Sequence, residues 1–79
     1  MKITDYVEKT LPALDNELER ASDLPAVRLD ELKTAARIIW IMTVHVDELK
    51  GRKDLKIHAL KTMTRADYLW ERNLITVEI

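Results

Sequence analysis

The sequence predicts an all-α fold, a small antiparallel three-helix bundle. Three observations carry this. Apolar residues recur at alternating spacings of three and four in three stretches of chain, the period of one helix face. Two polar breaks, Ser22-Asp23-Leu24-Pro25 and Gly51-Arg52-Lys53-Asp54, separate the stretches. A single glycine and two prolines leave too few turn residues for a multi-stranded sheet. The expected helices span about residues 4–21, 26–50 and 54–73 of one domain, 1–79.

The first helix places Val7, Leu11, Leu14, Leu18 and Ala21 on one stripe. Thr4 or Asp5 is positioned to cap it, and Asp5-x-x-Glu8 has the form of a capping box. Pro12 removes one backbone hydrogen bond and crowds the preceding turn, so a kink is expected there while the apolar register runs on.

The second helix carries the strongest periodic signal, Leu32, Ala35, Ile39, Met42, Val46 and Leu49. It is expected to be the longest helix and to lie centrally. Gly51 suits the left-handed position after its end, and Asp54 the cap of the next helix. The third helix aligns Ala59, Met63, Ala66, Trp70 and Leu74. Beyond Asn73 the sequence turns β-branched, and Ile75, Val77 and Ile79 alternate with Thr76 and Glu78. That period allows a short extended C-terminal arm as an alternative to a frayed end.

Apolar content of 47% with 34% charged residues is a globular balance, since a disordered chain lacks the apolar surface to offset its ordering entropy. The absence of cysteine excludes disulfides, thiolate metal sites and thiol nucleophiles. A lone glycine excludes Gly-rich phosphate loops. The N-terminus shows no signal-peptide core, and the apolar run from Ile38 to Val46 is about half the roughly 20 residues that span a bilayer. A soluble, cytoplasmic protein without membrane contact is expected.

Two helices carry more apolar residues than one core face needs. Trp40, Ile41 and Val44 point roughly away from Ile39 and Val46, and Ile57, Tyr68 and Ile75 lie away from Met63 and Trp70. A central helix covered on two sides accounts for the first set, but the first helix has one narrow stripe and cannot cover both. These six residues are the expected interface of a homo-oligomer, most simply a dimer, or of a protein partner.

Charge is uneven along the chain. Residues 1–31 hold eight acids against four cations, net −4, and residues 50–65 hold six cations against Asp54 alone, net +5. The plain explanation is an acidic first helix beside a basic third. The sharper one is a contact site for an anion or acidic partner at Arg52, Lys53, Lys56, Lys61 and Arg65, whose first members oppose the helix dipole. Nucleic-acid binding has little support at a sequence pI of about 6.1.

No catalytic residue is assigned. Ser22 lies in a turn, Thr62 and Thr64 are helical, and Asp67 at the edge of the core face is expected to pair with Arg37 or the Trp70 indole. His45 and Glu48 stand one turn apart in a single copy, too few for a metal site. No metal or cofactor is expected. The function expected is a non-enzymatic interaction module, a regulator or inhibitor that docks onto another macromolecule. The alternatives are a binder of phosphate-bearing ligands (nucleotide or nucleic acid) through residues 50–65, or a purely structural assembly subunit.

Overall fold

A computed structural model describes residues 2–78, with side chains described for residues 2–74. The described chain is helical throughout, without a strand. Helix α1 spans Ile3–Leu18, a 3-10 turn Ala21–Asp23, α2 Ala26–His45, α3 Asp47–Lys50 and α4 Lys53–Glu78.

Five boundaries differ from the sequence reading. α1 begins after Lys2, whose side chain makes no capping bond, so neither Thr4 nor Asp5 is the cap. The helix passes through Pro12 and ends at Leu18; Ala21 belongs to the separate 3-10 turn. The continuous second helix expected over 26–50 is broken at Val46, which is extended at φ −81° and ψ 122°. Thr43, Val44 and Val46 are β-branched, which weakens the helix there. Asp47 and Glu48 then suit the positive first turn of α3. The break matters for packing, because Leu49 of α3 is fully buried.

The third helix begins one residue early and runs to Glu78, so α4 is the longest element, 26 residues against 20 in α2. Asp54 therefore lies inside its first turn rather than capping it. Residues 74–78 are helical, not an extended arm, while Ile79 lies outside the described residues. A β-branched residue costs a helix only a few tenths of a kcal/mol, too little to end one already propagating. Gly51 has φ −82°, ordinary right-handed backbone rather than the left-handed position expected of it.

One core joins all four helices. Val7, Leu11, Leu14 and Leu18 of α1 meet Leu32, Ala36 and Ile39 of α2, Leu49 of α3, and Leu55, Ala59 and Ala66 of α4. Small residues line α4 where it meets its neighbours (Ala59, Thr62, Ala66), which lets the helix backbones approach closely. The buried Thr43 hydroxyl donates to the Trp40 carbonyl at 2.7 Å and is thereby satisfied. The principal extents are 44 × 18 × 16 Å, an elongated body set by the length of α4. No helix of the described residues is long and apolar enough to cross a membrane.

Candidate interaction surface

Polar ties fix how the helices meet. From α1, the Asp15 carboxylate accepts from the Thr62 hydroxyl at 2.7 Å and lies 2.6 Å from His58 Nε2, both on α4. Arg52, just ahead of α4, donates to Glu8 at 2.7 Å and to Asp54 at 3.0 and 2.8 Å. Arg28 of α2 donates to Glu17 of α1 through both Nε and Nη2 and to Glu31 at 2.9 Å. Between α2 and α4, Arg37 donates to Asp67 at 3.0 Å, and the Lys33 ammonium lies 4.8 Å from the centre of the Trp70 ring.

Two carboxyls feel these ties. The hydrogen bond from the Arg28 guanidinium holds the Glu17 carboxyl below its usual range, and the bonds from Arg52 do the same for Asp54. Arg28 and Arg52 are in turn held still more firmly in their charged forms.

The Thr62–Asp15–His58 cluster brings together residue types that serve catalysis, but its arrangement is structural. Thr62 is 1% exposed, so no substrate reaches its hydroxyl, and that hydroxyl points to the carboxylate rather than the imidazole. The sequence reading missed it because its members are 43 and 47 residues apart and converge only when α1 docks on α4. Asp67 does pair with Arg37, while its Oδ1 is buried without a partner. His45 and Glu48 belong to no group of three or more metal-capable side chains among the described residues.

An open cleft of about 660 Å³ lies at one end, lined by Lys2, Ile3, Thr4, Val46 and Glu48. It offers one ammonium and one carboxylate but no histidine or hydroxyl beyond Thr4.

The more distinctive surface is the open side of α2 and α4. At about 100° per residue, His58 and Thr62 lie on the α1 side of α4, and Met63, Asp67 and Trp70 turn toward α2. Ile57, Leu60, Thr64 and Tyr68 face away from both, and all four are exposed. On α2, the row of Val27, Thr34, Ile38 and Ile41 is exposed in the same way. Ile41 is 53% exposed, Ile57 55% and Tyr68 57%, values far from those of core residues.

The other residues expected at an interface are placed differently. Trp40 is half-buried and packs against the core, Val44 is half-buried, and the Ile75 side chain lies outside the described residues. Ile38 and Leu60 were not singled out in the sequence, although each stands one helical turn from a residue that was, Ile41 and Ile57.

The basic segment also divides. Arg52 is engaged by Glu8 and Asp54. Lys53, Lys56, Lys61 and Arg65 are exposed and, among the described residues, take part in no hydrogen bond or ion pair. They border the apolar row of α4 on both sides. No family model, no curated protein and no solved structure matches this chain.

Proposed function

We propose that this protein is a non-enzymatic helical interaction module that self-associates through the open side of α2 and α4 and acts by docking, as a regulator or inhibitor of another macromolecule. The observation that carries this is the exposed apolar row of Ile38, Ile41, Ile57, Leu60 and Tyr68 on two adjacent helices. Scattered exposed apolar residues are ordinary, but large ones repeated along the outer face of each of two adjacent helices point to an interaction site.

In this reading the long helices form an antiparallel three-helix bundle. The ties Lys33–Trp70 and Arg37–Asp67 advance along α2 as they recede along α4, which supports opposite directions for those two helices. Glu8–Arg52 and Asp15–His58 advance together, which supports a common direction for α1 and α4. α1 then covers one side of the α2·α4 pair, and the opposite side remains for a partner.

Sedimentation equilibrium at micromolar concentration tests the reading. A mass of two chains is expected for the wild type, and a mass of one chain for Ile41→Asp with its helical circular dichroism intact. A single-chain wild type would overturn self-association. The unpaired cations beside the row favour an acidic occupant over a neutral one. A ligand held by phosphate alone would leave the apolar row uncovered.

A further inference from the structure

We infer that the outer face of α4 is the docking site for an acidic amphipathic helix of a partner protein. Ile57, Leu60 and Tyr68 seat its apolar residues, and Lys53, Lys56, Lys61 and Arg65 meet its carboxylates. This rests on the docking role proposed above and names the chemistry of the macromolecule.

The face is an apolar line edged by cations. At about 100° per residue, Ile57, Leu60, Thr64 and Tyr68 fall within an arc of about 80°. Lys56 lies on the α2 edge of that arc, Lys61 and Arg65 on the opposite edge, and Lys53 at its start. Thr64, at the centre, donates its hydroxyl to the Leu60 carbonyl at 2.8 Å, so it asks nothing of an occupant. At the far end Arg72 donates to the Tyr68 hydroxyl at 3.4 Å.

The chain's own carboxylates do not answer these cations. The charge pattern gives an acidic α1 beside a basic α4, yet the contacts between them go elsewhere. Glu8 and Asp54 are taken by Arg52, Asp15 by His58 and Thr62, and Asp67 by Arg37. Lys53, Lys56, Lys61 and Arg65 are left exposed and without an ion pair among the described residues. From Leu55 to Tyr68 the helix contains one carboxylate, Asp67, and that one is engaged.

Three kinds of occupant suit a basic face with apolar residues, and they differ in what they leave uncovered. A phosphate-bearing ligand answers the cations but leaves Ile57, Leu60 and Tyr68 in water. An anionic bilayer binds through apolar side chains that insert, and this line offers three with a hydroxyl at its centre, on a chain of net charge −1. A helix with apolar residues at spacings of three and four and carboxylates on both flanks covers the line and answers both edges at once. Its charges set which helix is accepted, and the apolar line supplies the buried area. The stretch from Lys53 to Tyr68 is about 24 Å long, enough to seat about four turns of such a helix.

A designed peptide tests the inference on the full chain. It is a helix of about four turns, with leucines at spacings of three and four and glutamates on both flanks. Its control carries glutamines in place of the glutamates. Docking covers three residues of the self-association surface, so the two compete. Fluorescently labelled protein is therefore held dilute while peptide is added, and binding is read by thermophoresis. The glutamate peptide is expected to saturate the wild type, and the glutamine peptide to bind at least roughly tenfold more weakly. Lys61→Glu with Arg65→Glu should weaken the glutamate peptide by a similar factor, and added salt should weaken it on the wild type. Ile57→Ala and Tyr68→Ala should each weaken it several-fold, which general attraction between opposite charges does not predict. Circular dichroism establishes that the variants keep their helices.

No binding of the glutamate peptide, equal binding of the glutamine peptide, or indifference to both Ile57→Ala and Tyr68→Ala overturns the inference. Binding to phosphatidylglycerol vesicles in place of the peptide also overturns it and gives the face to a membrane. A wild type that sediments as two chains but ignores the peptide overturns this inference and leaves self-association standing. A single-chain wild type that binds the peptide does the reverse.

Discussion

The two sides of α4 are built from similar residues and end in opposite states. Toward α1 the helix presents Leu55, Ala59, Thr62 and His58; the first three are buried, and the polar groups of Thr62 and His58 meet Asp15. Away from α1 it presents Ile57, Leu60, Lys61 and Tyr68, all exposed, with Lys61 in no ion pair among the described residues. Composition does not separate the sides, since each mixes aliphatic, hydroxyl and basic residues. What separates them is the presence of a facing helix. One side is accounted for by folding, and the other is surplus to it, which is why the functional reading belongs there.

The largest effect that tests this contrast comes from truncation. Leu11→Ala removes a side chain that is fully buried beneath the other helices. It is expected to lower stability by about 2–5 kcal/mol, the usual cost of a cavity in a packed core. Ile41→Ala removes a similar side chain from the open side and should stay within about 0.5 kcal/mol when measured at high dilution. Urea denaturation of both variants reads the difference. Comparable losses would mean that the open side contributes to the fold after all.

A smaller effect separates the polar groups of the two sides. Asp15→Ala leaves the buried Thr62 hydroxyl without an acceptor and should cost about 1–3 kcal/mol. Lys61→Ala, on the other side of the same helix, breaks no tie and should be close to neutral. Thermal melts of the pair check this. A neutral Asp15→Ala would show that α1 is held by its apolar stripe alone.

The same contrast shows what a single sequence makes legible. The α1 stripe of Val7, Leu11, Leu14 and Leu18 is read directly from its spacing, because every member is buried in one direction against one neighbouring region. Ile41, Ile57 and Tyr68 stand exposed for a related reason: they fall outside the stripes that define the core. Trp40 is harder, because its helical position puts it near the contact with α4, and a large ring half-fills a space that the angle alone does not describe. Pairings between distant helices, such as Asp15 with Thr62, depend on docking register and leave no local trace. The break at Val46 is local, yet the apolar period runs through it to Leu49 and conceals it. The helical C-terminus is concealed in the opposite way, by a strand-like alternation too short to outweigh an established helix.

The smallest expected effect concerns Gly51, where the sequence pointed to a left-handed turn and the chain adopts an ordinary one. Its φ is −82°, and a Cβ built there meets nothing within 4 Å. Both objections to a side chain, backbone strain and steric contact, are therefore absent. Gly51→Ala should stabilise the fold by about 0.4–1 kcal/mol, because alanine restricts the unfolded chain while costing the folded one nothing. Gly51 lies outside the exposed apolar rows of α2 and α4, so stiffening this turn should leave the association untouched. A rise in the thermal midpoint with an unchanged sedimentation mass is the expected outcome. A fall would show that this turn needs the backbone freedom that only glycine supplies.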